Sequence, residues 1–171
     1  TPPKLTLESL MSFAAHPKWT MNYLTHGKFE LANVAHFTKK GSSIAKGVME
    51  YINEQYDPAM SWKDAEYCVK RWKGPFALKG LMSVEDAKKA VDIGASAIML
   101  SNHGGRQLDG SRSPFDQLPA IVDAVGGKIE IIVDGGIRRG THVLKALAMG
   151  ATACSFGKGF LFALGAGGQE G

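Results

Sequence analysis

From Gly74 onward the sequence repeats one pattern, and that repetition limits the fold more than any other feature. PFALKG (75–80), ASAIMLSN (95–102), IEIIVDGG (129–136) and ATACSFGK (151–158) are short apolar runs that end in polar, charged or glycine residues. Helical stretches separate them. One is opened by Ser83-x-x-Asp86 and runs to about Ile93, one lies near residues 115–125, and one covers THVLKALAM (141–149). Ser-x-x-Asp is a helix-start signal, because the serine oxygen accepts a backbone N–H that the helix leaves unpaired. Two of these helices end in the same dipeptide and feed straight into a strand, at Gly94-Ala95 and Gly150-Ala151. Glycine there supplies the left-handed residue that closes a helix. Its recurrence marks an internal echo of one strand–helix unit.

Strands that are apolar throughout, rather than alternating, are buried on both faces, as in a parallel sheet covered by helices. Polar residues gather where each strand ends: Lys79, residues 101–103, residues 134–136, Gly157 and Lys158. In (β/α)8 barrels the catalytic face is built at those ends. The expected fold is therefore α/β, with four βα units that make half a TIM barrel. Four strands cannot close a barrel, which takes eight. Either the sheet is an open doubly wound one or the other half lies elsewhere. No G-x-G-x-x-G turn follows a strand, which counts against a dinucleotide-binding sheet.

The first sixty residues read differently, as helices and loops. Leu7 to Ala15 and Lys18 to Leu24 form two short helices, the second opened by Pro17 and closed by Gly27; residues 43–55 form a third, stopped before Pro58. Ser61-x-x-Asp64 then opens a helix with Trp62, Ala65, Val69 and Trp72 at helical spacing, the tryptophans read as core or interface packing rather than a cofactor box. A length of 171 residues fits one domain, 1–171, with a helical region 1–60 and a half-barrel 61–171. Hydrophobic residues at 44% and charged residues at 21% are ordinary for a globular protein, but 21 glycines are many. Most lie after Leu78, where turns approach a ligand. Cys68 and Cys154 are far apart, in apolar surroundings and without metal-like spacing. They read as buried free thiols in a reducing, cytoplasmic compartment, and no metal site is expected. No signal peptide or membrane-spanning run is expected. The net charge of +4 is mild, with six lysines against three glutamates in residues 1–50. Solvation of one face explains that excess most simply; attraction to anionic lipid heads is the sharper reading. Nucleic-acid binding is disfavoured, since no basic run is interleaved with aromatics.

Three motifs carry chemistry. SNHGGRQLDG (101–110) sets His103 and Arg106 three apart on a loop after a buried strand, with Gly104 and Gly105 between them. An imidazole is the best general base near neutral pH, and a planar guanidinium grips a carboxylate through two parallel hydrogen bonds. Together they suit a substrate with a carboxylate and an abstractable proton. DGGIRRG (134–140) leads from a strand into a helix, so its backbone N–H groups and Arg138 form an anion site, with Gly157 and Lys158 of FGKG (156–159) as partner. Lys79 is a cation at the end of an apolar strand. It either stabilises a developing anion or reaches out to solvent.

LKG, SNHGGRQLDG, DGGIRRG and FGK, in this order and spacing, resemble the FMN-dependent α-hydroxy-acid dehydrogenase and oxidase family. PPKLTL, His16-Pro17-x-Trp19 and SWKD (61–64) resemble its bacterial lactate- and mandelate-oxidising branch. The resemblance covers nearly the whole chain and implies bound FMN and oxidation of a small L-2-hydroxy acid, foremost L-lactate. His103 would be the base and Arg106 the carboxylate ligand. Lys79 would stand by flavin N1 and O2, and Ser101 would hydrogen-bond the flavin. Asp134, Gly135, Gly136, Arg138, Gly157 and Lys158 would hold the ribityl-phosphate end. The resemblance further implies quinone, cytochrome or oxygen as electron acceptor, a homo-oligomer at full length, and a peripheral contact of residues 1–60 with the inner face of the bacterial membrane. Two features depart from the pattern. Lysine stands at 158 where the family usually has arginine, and the family's first four strands, with a substrate tyrosine pair and a second substrate arginine, have no counterpart. A non-catalytic half-barrel and a different phosphate-binding barrel enzyme are the competing readings.

Overall fold

The computed structural model describes residues 6–26, 32–37 and 44–171. The chain divides into two units, Thr1–Ala59 and Met60–Gly171. The first holds α1 (Leu7–Ala15), α2 (Pro17–Thr25), α3 (Ala32–Ala35) and α4 (Ile44–Gln55). Local chemistry accounts for α1 and α2. Thr6 and Ser9 exchange hydrogen bonds in a capping box at the start of α1, and Pro17 sits in the first turn of α2. Phe13, Trp19 and Tyr23 stack in series, with centroids 5.8 and 5.4 Å apart. Neither helix buries a residue. The expected stop at Gly27 and the Ser43 start of the third helix lie outside the described residues.

The second unit begins with α5 (Trp62–Trp72), opened by the expected capping box: Asp64 accepts from the backbone and hydroxyl of Ser61, each at 2.8 Å. Then follow β1 (Ala77–Lys79), α6 (Val84–Asp92), β2 (Ala97–Leu100), α7 (Pro114–Val125), β3 (Glu130–Asp134), α8 (Gly140–Ala148), β4 (Ala153–Ser155) and α9 (Lys158–Gly167). The four strands pair in parallel in chain order. This is the sheet of a partial (β/α)8 barrel, four strands of the eight. Ser83 and Ser113 cap α6 and α7 by accepting the N–H of Asp86 and Asp116, each at 3.1 Å.

The Gly-Ala echo is structural. Gly94 and Gly150, both with positive φ, donate to the carbonyls of Val91 and Leu147, while Ala95 and Ala151 donate to Ala90 and Ala146. All four bonds are 3.0 Å long. Each pair is a Schellman motif, which satisfies the last helical carbonyls and turns the chain into the next strand.

Strand pairing sorts the side chains onto two faces. Leu78, Ile98 and Ile131 are in register, as are Leu100, Val133 and Cys154; this face packs against α6 and α7. Ile98, Leu100, Leu118, Ile121, Ile131 and Val133 are at most 1% exposed, and each stabilises the fold by about 1.5–3 kcal/mol relative to exposure. On the other face lie Lys79, Met99 and Ile132 and, two residues on from Ile132, Asp134 beside Ser155. Burial on both faces, expected for every strand, holds best for β2; Ala77 of β1 and Ala153 of β4 are exposed. The strands are also shorter than the apolar runs, because pairing rather than hydrophobicity sets their limits. Two further expectations need correction. Trp62 and Val69 pack on the core, but Trp72 is 66% exposed, its indole N–H donating to the Pro75 carbonyl at 3.0 Å. Both cysteines are free, yet only Cys154 is partly buried, which raises its thiol pKa; Cys68, on the outer side of α5, is exposed.

Candidate active site

The carboxyl ends of β1, β2 and β3 meet at one hydroxyl. Ser101, which directly follows β2, is 1% exposed. Its Oγ donates to Asp134 Oδ2 at 2.6 Å and accepts from Lys79 Nζ at 3.1 Å and from the His103 backbone N–H at 3.1 Å. A hydroxyl has one donor and two acceptor positions, so this one is saturated. Lys79 Nζ also lies 3.2 Å from Asp134 Oδ2. With the Lys79 side chain 47% exposed, the ammonium rests on two internal partners and turns its remaining N–H outward. The lysine is therefore neither buried without a partner nor adrift in solvent. At Asp134, burial pushes the carboxyl pKa up. Hydrogen bonds from Ser101, Lys79 and Ser155, and the Lys79 charge, outweigh that and hold it below its ordinary 3.8.

The loop after Ser101 is wound the unusual way. His103, Gly104 and Gly105 have φ of 57°, 68° and 72° in succession. For histidine that conformation is strained by about 1–2 kcal/mol. Neighbours impose it: Asn102 accepts the Gly105 N–H at 3.2 Å and donates to the Arg112 carbonyl at 3.2 Å, while Lys158 donates from β4's end to the Gly104 carbonyl at 2.8 Å. The result lays the His103 imidazole over Gly80. A β-carbon at Gly80 would stand 3.2 Å from His103 Cε1 and 3.8 Å from Nε2.

Among the sequence candidates, Lys79, Ser101, His103 and Asp134 are joined in one hydrogen-bonded cluster, and Lys158 clamps the His103 loop. Gly135 donates to the Ser155 carbonyl at 3.1 Å, tying the DGG turn to β4. The guanidinium groups of Arg106 and Arg138 are exposed and take no partner among the described residues. Gly136 and Gly157 stand in turns where an added β-carbon would meet no atom within 4 Å. Four positions were missed. Gly80 supports the imidazole, Asn102 shapes the loop, Ser155 adds a bond to Asp134, and His142 touches the DGGIRRG turn. Ser155 could have been found, since it pairs with Asp134 and points to the same face.

A cation-rich, glycine-lined rim at the carboxyl ends of parallel strands defines a βα-barrel protein suited to an anionic ligand. The chain belongs to the FMN-dependent dehydrogenase family, whose family model matches residues 1–171. It is 43% identical over 173 residues to an L-lactate dehydrogenase of Xanthomonas campestris pv. campestris (strain 8004), covering 99% of this chain and 44% of that protein. To an L-lactate dehydrogenase of Alcaligenes faecalis it is 41% identical over 170 residues, 99% of this chain and 45% of that one. The crystal structure of (S)-mandelate dehydrogenase, a monotopic membrane protein, superposes with a TM-score of 0.85 at 33% identity, over 99% of this chain and 44% of that chain. A mandelate oxidase structure with an FMN adduct gives 0.61 at 49% identity, over 65% of this chain and 35% of that chain. The chain thus spans somewhat less than half the length of the relatives it matches.

Proposed function

We propose that this chain supplies the cofactor-facing half of an FMN-dependent enzyme that oxidises a small L-2-hydroxy acid, foremost L-lactate, to the 2-oxo acid. The observation that carries the reading is the cluster of Lys79, Ser101 and Asp134 with the His103 imidazole held over Gly80. The residues fit FMN. Gly135 and Gly136 have positive φ, and a β-carbon on either would meet no atom within 4 Å, so their backbone is open to approach. Arg138, without a partner among the described residues, and the Lys158 ammonium supply charge for a phosphate.

When bound, FMN would take up the two electrons together with one proton, and the electrons would leave to quinone, a cytochrome or oxygen. The chain's residues do the rest. Oxidation of a 2-hydroxy acid releases two electrons and two protons, and His103 accepts one of the protons. Arg106 holds the carboxylate with its planar fork. Lys79 sets its outward N–H and charge against the electron-rich edge of the ring. Ser101, its hydroxyl already committed, acts on the cofactor through the lysine it orients rather than by a bond of its own. Asp134 likewise fixes Lys79, while Gly135, Gly136, Arg138, Gly157 and Lys158 face the phosphate. A lysine at 158 lacks the two-pronged geometry of arginine, which weakens the phosphate contact without removing it.

Adding L-lactate or mandelate without oxygen to the FMN-loaded protein tests this. Flavin absorbance should bleach, and His103→Gln should slow the bleaching about 10²–10⁴-fold while keeping the colour. Equal rates in both proteins would refute the role of His103. A second reading, a half-barrel without catalysis, draws on the edges of β1 and β4, each paired on one side only; a protein that binds no FMN would favour it. The apolar residues exposed on α1 and α2, Leu7, Leu10, Met11, Met21 and Leu24, support a peripheral membrane contact. No helix among the described residues is long and apolar enough to cross a membrane. Co-sedimentation with anionic vesicles at low salt, lost at high salt, is the expected result; no binding at low salt removes the idea.

A further inference from the structure

We infer that His142 is a positioning residue that holds the 136–138 turn in the shape that presents its backbone to a phosphate. The inference rests on the FMN reading above and adds to it a residue that no motif singles out.

The need for such a residue arises at the start of α8. Its N-cap is Arg139, whose side chain makes no capping hydrogen bond. Helices usually begin on a short polar residue because the first turn leaves N–H groups without partners. His142 occupies the third helical position, from which a side chain can reach back over the preceding turn, as glutamate does in a capping box. Its Nδ1 lies 3.3 Å from the Arg138 backbone nitrogen and 3.3 Å from the Gly136 carbonyl oxygen.

These two contacts have opposite polarity. With Nδ1 bare, the imidazole accepts the Arg138 N–H; with Nδ1 protonated, it donates to the Gly136 carbonyl. In either state the ring ties down one end of the turn, the Arg138 N–H or the Gly136 carbonyl, and it lies within reach of both. Between them, Ile137 is buried at 9% exposure and anchors the middle. The turn needs this restraint. Gly135 and Gly136 are both left-handed, with no side chain to limit them, and successive glycines are the most mobile backbone a chain can have. A cradle that must order itself on binding gives up affinity; one already ordered does not. Arg138, carried by the same turn, is aimed by the same restraint.

Riboflavin separates this role from a plain helix cap, since it has the ring and ribityl chain of FMN but no phosphate. Affinities for both flavins are read by quenching of flavin fluorescence on binding, with melting temperature recorded alongside. In the His142→Ala protein, FMN affinity should fall about tenfold while riboflavin affinity stays within twofold of wild type, as loss of one hydrogen bond that orders the turn implies. His142→Asn, whose amide can accept and donate, should recover most of the FMN affinity. Equal loss for both flavins in the alanine and asparagine proteins, or no loss for either, overturns the inference. A wild-type protein that binds FMN no more tightly than riboflavin overturns the phosphate reading itself, a result that needs no variant and is thereby distinct.

Discussion

At the amino ends of β2, β3 and β4 the chain is closed and dry. Gly94 and Gly150 finish their helices in identical Schellman bonds, and Ala95, Ile129 and Ala151 are each at most 8% exposed. At the carboxyl ends of the same strands the backbone is strained and the side chains are charged. His103 is left-handed, Lys79 and Asp134 share an ion pair, and Arg106 and Arg138 have no partner among the described residues. At one end of the sheet the last helical carbonyls are answered by backbone N–H groups of the chain itself. The other leaves several cations to be answered from outside, which a stable fold does not require. The difference separates stability from chemistry within units only about twenty to thirty residues long.

Substitutions at the two ends should therefore fail in different ways. Gly150→Ala should give the largest loss of stability. Its φ of 101° strains any β-carbon, and that carbon would fall 2.8 Å from Val122 Cγ1. Together these cost about 2–4 kcal/mol, whereas Gly94→Ala, with nothing within 4 Å, should cost only the backbone part, about 1–2 kcal/mol. Urea denaturation compares them, and the FMN affinity of whatever stays folded should be unchanged. An affinity that fell in step with stability would break the separation of the two ends.

A smaller effect lies at the carboxyl ends. The Asp134 pKa is below its ordinary 3.8 in the folded chain. A lowered folded pKa means the carboxylate's contribution is fully present above the unfolded value and fades as pH falls through the folded one. The stability gap between wild type and Asp134→Asn should be constant near neutrality and narrow only below about pH 4. A gap independent of pH down to 3 would mean that the Lys79–Asp134 pair adds nothing to the folded state.

Much of the sheet was legible because its signals are local. Ser83, Gly94 and Gly150 each state a helix boundary by chemistry that needs no tertiary partner, and the order of the apolar runs then points to a parallel sheet. The chemistry of the site was legible as residue types at strand ends. What could not be read was geometry that depends on neighbours. Nothing in a histidine foretells a positive φ; Asn102 beside it and Lys158, bonded to Gly104 from 54 residues away, impose it. Gly80 looked like the end of a strand, yet it is the floor under an imidazole. Nor does any local pattern announce that the Ser101 hydroxyl serves three internal partners. Trp72 kept the helical spacing of a core residue, and only the end of α5 after it left it on the surface.

If the cations and open glycines mark the site, the cofactor meets one end of this sheet and not the other. Backbone amide chemical shifts recorded as FMN is added to the isotopically labelled protein test it directly. Shifts should move at Gly80, at residues 101–106, at residues 134–138 and at Gly157 and Lys158, with Gly94, Ala95, Ile129, Gly150 and Ala151 unmoved. Changes gathered at the second set, with the first set still, would contradict the account.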